Sequence, residues 1–459
     1  MHGEFGERLR ELRVRAGLTI EALAGASGVS VRAISDAERG RSRLPRPRTV
    51  TALAAALGLG PDDATAFTAL ARAGREIAAA GRPRAGELPR QTVGFVGRKA
   101  ALATIGEWVS ASQPDGPALV AVLHGPPGVG KTALAVRVAE QHRDRFPGGA
   151  LYLDLRGGQP GAVTATDAQS VLLGALGLRP RQISPDTGDR AGQLRALLGR
   201  RRCLLVLDDA GSEGQVRALL PDTGCVLITG RRALGGLEAV RRYAVGPLTS
   251  AESASLLRTI GGATGTPEEI DAVARLCGHL PLALHLAGTR LTAHPAVSGG
   301  LPASGGLPAS GGASVPGRPA ASGRVGRLAG WSMARLVEEL SDVDRRLATL
   351  SARGIGVEAA FAVSHALLTD AARVVFRRLA LIPAPSFGAA DAAAVGGCDP
   401  ATAETHLEDL LDLGLLQAEG ADRYRLHDLI RLFAASRLHA DEPASRLHAG
   451  EVLAGRDSA

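Results

Sequence analysis

Residues 125–132 read GPPGVGKT and decide the fold of the central part of the chain. They follow an apolar stretch at 119–124 and precede a stretch with helical periodicity at 133–142. The pattern G-x-x-x-x-G-K-T between a strand and a helix is typical of a loop whose backbone amides cradle phosphate groups. The sequence therefore predicts a phosphate-binding P-loop.

Phosphate binding explains the residue types found in this loop. Gly125, Gly128 and Gly130 let backbone amides approach phosphate oxygens without a side-chain collision. Lys131 supplies a compact charge for the β- and γ-phosphates, and only two of the 53 basic residues in the chain are lysines. The hydroxyl of Thr132 can ligate Mg²⁺. The expected ligands are ATP or ADP together with Mg²⁺.

A second part of the predicted site lies at 203–210, where CLLVLDDA is an apolar strand that ends in two acids. In this Walker B pattern Asp208 would hold Mg²⁺ through water, and Asp209 would polarise or orient the attacking water. The next strand ends in Thr229-Gly230-Arg231-Arg232, and Arg231 is the candidate sensor of the γ-phosphate. The alternative for the Walker B pattern is an ordinary buried strand followed by a polar turn. The alternative for Arg231 is that it belongs to a solvated arginine pair.

Strand-like and helical stretches alternate around these motifs from about 93 to 247. The predicted strands cover 119–124, 150–154, 203–207, 226–229 and 243–245, with room for a crossover helix between them. This alternation indicates an α/β domain with a parallel, doubly wound sheet. A helical subdomain is expected at 249–294, and several amphipathic helices with a short β-wing near 423–426 are expected at 356–440.

Regions of different composition flank this core. Residues 1–78 read as a run of short helices, and the Pro/Gly/Arg-rich stretch at 79–92 reads as a linker. At 295–328 the hexamer GGLPAS occurs twice among Pro, Ser, Gly and Ala, which predicts a disordered insertion. The predicted domains are 1–78, 93–248, 249–294 and 329–440, with a C-terminal tail at 441–459.

Composition limits the class of protein. The chain is 45% hydrophobic and 22% charged, as in folded soluble proteins, and its four cysteines lack the spacing of a metal site. No apolar leader and no uninterrupted run of 18 apolar residues occur, so we expect a cytoplasmic protein with no membrane partner. Residues 1–90 contain 15 arginines against 10 acidic residues. This favours a nucleic-acid contact there, although a merely solvated basic face would have the same charge.

Six motifs in this order resemble the NB-ARC family of signal-transducing (STAND) ATPases. They are FVGR at 95–98, GPPGVGKT, LLVLDDA, LITGRR at 227–232, GHLPLAL at 278–284 and RLHDLIR at 425–431. The family includes apoptosome scaffolds, plant disease-resistance proteins and many actinobacterial transcriptional regulators. The resemblance covers residues 93–440 and implies a helical subdomain and a winged-helix domain around the P-loop core.

The resemblance also implies roles for single residues. Val96, Gly97 and Arg98 match the segment that lies against adenine and ribose, and Pro281 matches the proline that packs on the base. His427 matches a histidine that touches the β-phosphate of ADP and latches the winged-helix domain over the nucleotide. From its position alone, a single histidine on an amphipathic helix is more often structural.

Several features depart from the family pattern. Leu426 replaces a methionine, His279 stands where leucine is usual, and Gly230 replaces a serine before the sensor arginine. No helical or leucine-rich sensor repeats follow residue 440. The sequence therefore favours either a short form of such a regulator or a signal that arrives from a separate sensor protein.

The stretch at 17–59 resembles the XRE, or Cro/C1-type, helix-turn-helix family. The resemblance implies that a helix at 30–39 enters the major groove, with Arg32 and Ser35 at base edges. Arg39, Arg41 and Arg43 would contact phosphates. The family's usual glutamine is Ile20 here, and an acid lies on the recognition helix. A small helical protein-interaction module remains the alternative.

Together these features predict a DNA-binding transcriptional regulator that is switched by ATP and ADP. ADP would hold a closed monomer, and ATP would permit self-association into a homo-oligomer. Whether the chain is an enzyme stays open, with a slow ATPase as the upper expectation. The rival functions are an efficient ATP-driven motor or loader, and a defence or signalling scaffold whose helix-turn-helix binds protein.

Overall fold

The computed structural model describes most of the chain in two compact units, Met1–Pro83 and Arg84–Ala459. The described residues are 4–38, 47–60, 63–65, 67–68, 85–90, 94–113, 116–159, 161–262, 265–293, 331–352, 355–420 and 422–441. The predicted insertion at 295–328 lies outside these residues, as does the predicted tail after Asp441.

Helices form the described part of the first unit. They are α1 (Glu4–Arg15), α2 (Ile20–Ser27), α3 (Val31–Glu38) and α4 (Pro47–Ala56). Thr19 caps α2 by accepting a hydrogen bond from the amide of Ala22, and Gly28 ends it at a φ of +67°. Leu9 and Ile34 lie in the shared hydrophobic core. The sequence-predicted helix-turn-helix is confirmed here.

An ion pair joins the first and third helices of this unit. Arg13 Nε donates to Glu38 Oε1 at 2.6 Å, and a second guanidinium nitrogen donates to Glu38 Oε2 at 3.0 Å. Both side chains are largely covered, at 13% and 7% exposed. This bidentate pair therefore fixes α3 against α1.

A six-stranded sheet organises the second unit. Its strands are β1 (Ala85–Gly86), β2 (Leu119–His124), β3 (Ala150–Asp154), β4 (Leu204–Ala210), β5 (Cys225–Gly230) and β6 (Val240–Ala244). The strand order is β1-β3-β4-β5-β2-β6. All neighbours are parallel except β1, which runs antiparallel to β3. The predicted P-loop fold with a mostly parallel sheet is confirmed.

The first strand lies within the stretch at 79–92 that the sequence predicts as a linker. Ala85 pairs with Leu153, and Gly86 pairs with Tyr152, at one edge of the sheet. Backbone hydrogen bonds make this pairing, so no alternating side-chain pattern marks it in the sequence. Two other strands are shifted: β4 continues to Ala210, and β6 covers Val240–Ala244 where 243–245 was predicted.

Helices cover both faces of the sheet, as a doubly wound fold requires. They are α5 (Lys99–Ala111), α6 (Lys131–Gln141), α7 (Ala165–Ala175), α8 (Thr187–Arg201) and the short α9 (Glu213–Arg217). The first two contribute to the core on one face, and the other three contribute to the core on the opposite face. Alternate residues of each strand enter the two cores, as in a sheet buried on both sides.

Three helices follow the sheet and form the helical subdomain. They are α10 (Ser250–Gly261), α11 (Pro267–Leu276) and α12 (Pro281–Ala293). Thr249 and Thr266 begin the first two with capping boxes, in which Glu252 and Glu269 accept hydrogen bonds from the backbone amides of the capping threonines. These helices share one hydrophobic core with α5 and α6, which places the subdomain next to the P-loop helix.

The last part of the described chain is mainly helical with two small β-ribbons. The helices are α13 (Met333–Ser341), α14 (Arg346–Thr349), α15 (Val357–Ala366), α16 (Asp370–Arg378), α17 (Ala389–Gly396), α18 (Pro400–Asp412) and α19 (Asp428–Asp441). One ribbon pairs β7 (Ser351–Ala352) with β8 (Ile355–Gly356), and the other pairs β9 (Gln417–Ala418) with β10 (Tyr424–Arg425). The second ribbon lies where the sequence predicts a wing.

None of the described helices combines the length and the apolar character needed to cross a bilayer. All four cysteines are free thiols, and three of them are buried.

Candidate nucleotide-binding site

The predicted P-loop lies between the central strand β2 and the first turn of α6. Gly125, Gly128 and Gly130 have φ values of +143°, +77° and +92°, which side chains rarely adopt. A Cβ on Gly125 would come within 2.4 Å of the carbonyl oxygen of Val245. The loop can therefore adopt this shape only with glycine at these positions, and its amides lie at a helix N-terminus suited to phosphate.

Lys131 reaches back over the loop that precedes it. Its ammonium donates to the carbonyl oxygens of Gly125 at 2.8 Å and Pro126 at 2.9 Å. Burial and, to a smaller extent, the nearby charge of Arg231 lower the pKa of Lys131 to about 8. A phosphate group would offset both effects because it adds negative charge beside the ammonium.

A cavity of about 430 Å³ opens beside the loop, within the second unit. The predicted ligand residues that line it are Val96, Arg98, Gly128, Gly130, Lys131, Thr132 and Pro281. The structure thus brings together the P-loop, the FVGR segment and the start of α12. Apolar walls with a few charged groups at one end suit a base and ribose that are joined to phosphates.

Sequence reasoning missed other residues that line this cavity. The main ones are Arg90, Phe95, Arg137, Leu256, Leu282 and His285. Phe95 is the first residue of the FVGR motif, and His285 lies one helical turn after Pro281, so helical spacing could have identified it. Arg137 lies on the P-loop helix α6 and Leu282 directly follows Pro281, whereas Arg90 and Leu256 come from segments that only folding brings to the loop.

Arg98 ties the FVGR segment to the P-loop. One guanidinium nitrogen donates to the carbonyl of Val129 at 2.9 Å, and the backbone amide of Arg98 donates to Glu252 Oε1 at 2.5 Å. Burial lowers the pKa of the Arg98 guanidinium. Gly97 does not line the cavity; a Cβ there would collide with Glu252, so this glycine is needed for packing.

Asp208 is bonded by hydroxyl groups from three different elements. Thr132 Oγ1 donates to Asp208 Oδ1 at 2.8 Å, Thr229 Oγ1 donates to the same oxygen, and Tyr152 Oη donates to Oδ2 at 2.7 Å. The Asp208 residue is only 7% exposed. Burial, followed by the charge of Asp208, raises the pKa of the Tyr152 phenol, so the hydroxyl stays a donor.

The chemistry of Thr132 and Asp208 fits Mg²⁺. A hydroxyl and a carboxylate oxygen are hard ligands, and Mg²⁺ in nucleotide sites takes few protein ligands and completes its shell with phosphate and water. Within the described parts of the chain, no three His, Cys, Asp or Glu side chains gather into a metal cluster of their own. The residues present therefore suit a metal that arrives with a nucleotide.

Asp209 and Arg231 face each other beside this carboxylate. Arg231 Nη2 lies 3.6 Å from Asp209 Oδ1, and the two side chains are 14% and 24% exposed. The amide of Asp209 donates to Thr229 Oγ1 at 3.0 Å, at a φ of +49° where β4 shifts register. Neither side chain lines the 430 Å³ cavity. The structure thus pairs the candidate sensor Arg231 with Asp209, the residue expected to polarise or orient the attacking water. Direct phosphate contact stays a prediction.

His427 lies against the helical subdomain. Its Nε2 lies 2.8 Å from the carbonyl oxygen of Gly278, and its Nδ1 accepts from the amide of Leu429 at 3.2 Å. The resemblance led us to expect a phosphate contact, but His427 is outside the cavity lining and both ring nitrogens have backbone partners. It joins the last part of the described chain, from Trp331 onward and here called the C-terminal domain, to the segment before Pro281. Its contact with phosphate stays a prediction.

Another contact brings the C-terminal domain to the P-loop itself. Gly414 follows α18 at a φ of +66°, and a Cβ there would lie 2.8 Å from Pro126 Cα. The neighbouring Leu413 carbonyl accepts a hydrogen bond from Ser364 at 3.1 Å. The loop after α18 therefore covers the start of the P-loop at backbone contact distance.

His279, which departs from the family pattern, has a local partner. Its Nδ1 lies 3.0 Å from the hydroxyl of the buried Ser253, and its carbonyl accepts from the amide of Leu248 at 3.0 Å. The residue has a φ of +55°. A polar side chain is thus accommodated here by a hydrogen bond to α10.

The candidate DNA-binding residues are only partly within the described structure. Arg32 is on the outer face of α3, with its side chain 93% exposed and Nε 3.7 Å from Asp36 Oδ2. Ser35 is partly exposed on the same helix, while Ile34 is buried in the core. The three arginines expected at phosphates, Arg39, Arg41 and Arg43, lie outside the described residues.

The sequence matches two known domain families. Residues 4–67 match a helix-turn-helix domain, and residues 99–234 match the NB-ARC domain. The second range contains the P-loop, the Walker B strand and the candidate sensor.

Similar proteins include two that are named as regulators. The regulatory protein AfsR of Streptomyces griseus is 33% identical over 361 residues, which cover 78% of this chain and 34% of that protein. The HTH-type transcriptional repressor RghR of Bacillus subtilis is 49% identical over 53 residues, or 12% of this chain and 39% of that protein. This chain therefore spans about a third of the AfsR length.

A solved structure shares the fold. A Walker-type ATPase of Pyrococcus abyssi superposes with a TM-score of 0.50 at 14% sequence identity, over 75% of this chain and 98% of that one. At this identity the likeness concerns the fold alone.

Proposed function

Because the chain joins an N-terminal helix-turn-helix domain to an NB-ARC domain, we propose that it is a DNA-binding transcriptional regulator switched by ADP and ATP. The observation that carries the proposal is the cavity beside the P-loop, into which Lys131, Thr132, Arg98 and Pro281 all face. Relatives named as a regulatory protein and a transcriptional repressor support the regulatory part.

In this proposal the P-loop amides and Lys131 hold the phosphates, while Val96 and Pro281 enclose the base. Thr132 and Asp208 would hold Mg²⁺, which neutralises phosphate charge when it is bound. Arg98 would keep its hydrogen bond to the carbonyl of Val129 and so hold the base-side wall of the cavity in place. These are binding and orienting roles, and they require no conformational change within the sheet.

The C-terminal domain would act as a lid that favours ADP. Its Gly414 loop lies on Gly125 and Pro126, and Arg231 lies on Asp209. A third phosphate adds negative charge near Asp209, which would weaken that ion pair and draw Arg231 toward the nucleotide. Exchange of ADP for ATP would then release the lid and permit self-association of several DNA readers.

Hydrolysis would be slow and would reset the switch. Asp209, the candidate that orients the attacking water, is engaged with Arg231 in the closed arrangement. The signal that promotes exchange would come from a separate sensor protein or from another domain. Sustained rapid ATP hydrolysis by the purified chain would argue for a motor and against this switch.

The first test is the nucleotide content of the purified protein. We expect ADP to be released when the wild type is denatured and to be absent from Lys131→Ala, because that variant loses the ammonium over the loop. Lys99→Ala is the matched control, since it removes the other lysine, which is exposed at the start of α5. A nucleotide-free wild type that also ignores added ADP and ATP would contradict the proposal.

The second test concerns DNA. A genome-wide binding selection with the full chain should return an enriched site, and Arg32→Ala should weaken binding to it by about 1–3 kcal/mol. A selection without any enriched site would show that the helix-turn-helix has another partner, as a scaffold would require.

A further inference from the structure

Tyr152 has a position that no sequence motif assigns. It lies in β3, opposite Val206 of β4, and its ring packs on the core at the α6 face of the sheet. Its hydroxyl donates to Asp208 Oδ2 at 2.7 Å. The phenol therefore reaches the Walker B carboxylate from the strand beside it.

The contacts of the two carboxylate oxygens differ. Oδ1 accepts from Thr132 and Thr229, and Thr132 is itself a candidate metal ligand. Oδ2 accepts from Tyr152. A carboxylate bonded at one oxygen can turn about its Cβ–Cγ bond, whereas bonding at both oxygens fixes its plane. Tyr152 thus holds the side of the carboxylate that faces away from Thr132.

Charge supports a role beyond packing. Within the described residues, no arginine or lysine forms an ion pair with Asp208, although its side chain is almost fully buried. Its hydrogen-bond partners are neutral hydroxyl groups, and Lys131 acts on it electrostatically without forming an ion pair at contact distance. A buried carboxylate held in one orientation in this way is suited to a cation.

We propose that Tyr152 is a positioning residue for Mg²⁺, because its hydroxyl orients Asp208 so that Oδ1 faces Thr132. The inference rests on the proposed nucleotide site and adds a determinant of its metal affinity. Outer partners of metal ligands commonly affect metal affinity by about 10- to 100-fold, although they do not touch the metal.

The variant Tyr152→Phe tests this role because it removes one oxygen and keeps the ring. We expect its ADP complex to bind Mn²⁺, the paramagnetic probe for Mg²⁺, about 10- to 100-fold more weakly than the wild-type complex, as measured by electron paramagnetic resonance. ADP affinity in EDTA, measured by calorimetry, should stay within about twofold, because Tyr152 does not line the cavity. Tyr424→Phe is the matched control, since it removes a hydroxyl in β10.

The outcomes separate this inference from the proposed function. If the wild type binds no ADP with or without metal, the nucleotide site itself is wrong. If the wild type binds ADP and Tyr152→Phe retains its Mn²⁺ affinity, the site stands and the role of Tyr152 is refuted. A loss of ADP affinity in EDTA equal to the loss with metal would indicate a general packing defect and would also refute it.

A measurement on the unchanged sequence covers the case in which Tyr152→Phe does not fold. The chain has three tyrosines, so biosynthetic fluorotyrosine labelling gives three ¹⁹F resonances. Mg²⁺ added to the ADP complex should shift the Tyr152 resonance and leave that of Tyr424 in place. A Tyr152 resonance that does not respond to Mg²⁺ would overturn the inference.

Discussion

The hydrogen bonds of His427 depend on the protonation state of its imidazole ring. Its Nδ1 accepts from the Leu429 amide, so a proton on that nitrogen would break this hydrogen bond. Burial lowers the pKa of His427, and His279 and Arg425 act in the same direction, although Asp428 and the Gly278 carbonyl oppose them. The neutral ring is thus the form that fits between α19 and Gly278.

This gives a pH dependence with a defined sign. A histidine whose pKa is lower in the folded state loses stabilising free energy as the pH falls below the unfolded value, because the unfolded chain takes up the proton first. From pH 7 down to pH 5.5 we expect the free energy of unfolding of the second unit to decrease, with His427 contributing at most about 1.4 kcal/mol per pH unit. Denaturant unfolding at a series of pH values measures this.

His427→Gln isolates the contribution of this residue. An amide does not titrate in this range, so the variant should be less stable at pH 7 and should lose less stability on acidification. Equal slopes for wild type and variant would mean that other histidines, such as the half-buried His365, cause the dependence. Burial lowers the pKa of His365 to about 4, so the effect of His365 on stability extends to more acidic pH values.

At the level of elements, Arg13 tests how α3 is held in the helix-turn-helix. Arg13→Ala leaves the largely buried carboxylate of Glu38 without its partner, so we expect the first unit to lose about 2 kcal/mol of stability. Arg8→Ala is the control, because both ion-pair partners of Arg8, Glu11 and Asp63, are exposed. Circular dichroism during thermal unfolding would detect the loss, and equal effects of both variants would contradict this role for Arg13.

The loop after α18 gives a second prediction at this scale. Gly414→Ala combines backbone strain at a φ of +66° with a Cβ that would meet Pro126 at 2.8 Å. We expect faster release of ADP, about tenfold, because the lid can no longer lie on the P-loop. Stopped-flow release of a fluorescent ADP analogue measures the rate.

Gly420 supplies a control that has the strain without the contact. It has a φ of +95°, and no atom lies within 4 Å of a Cβ built on it. Gly420→Ala should therefore cost stability of about 1 kcal/mol without changing ADP release. Similar release rates for the two variants would show that the Gly414 loop does not restrain the nucleotide.

The sequence predicts those elements whose determining residues lie close together along the chain. The P-loop, the β2 and α6 flanks and the Asp208-Asp209 strand end follow from glycine spacing, apolar runs and helix-starting signals within about ten residues. Strand β1 was missed because two residues in a Pro/Gly-rich stretch carry no periodicity. Its partner strand lies more than 60 residues further along the chain.

The residues of the candidate site also differ in whether nearby sequence predicts them. Lys131 and Thr132 follow from a contiguous motif, whereas Tyr152 bonds to a residue 56 positions away and His427 to one 149 positions away. Such contacts depend on strand order and domain packing, which no single window of sequence encodes. Family resemblance singled out His427, but only the fold shows its partner to be the Gly278 carbonyl.

For the whole molecule, the division into two units predicts separable responses to nucleotide. ADP at about 100 times its dissociation constant should raise the free energy of unfolding of the larger unit by about 2.7 kcal/mol. We expect differential scanning calorimetry of the full chain to show one transition that moves with ADP and another, from the helix-turn-helix unit, that does not. A single transition that shifts with ADP would mean that the units unfold together, and two transitions that both shift would mean that ADP stabilises both units.

Among the contacts of the C-terminal domain with the rest of the second unit are Gly414 over Pro126 and His427 against Gly278. Both contacts involve one packed domain, so opening in the proposed switch would break them in a single cooperative event, and its barrier would include both. A high barrier would make the residence time of the nucleotide long compared with brief changes in the cellular ratio of ADP to ATP. Such a molecule would average over time: it would disregard transient fluctuations and respond only to a sustained change.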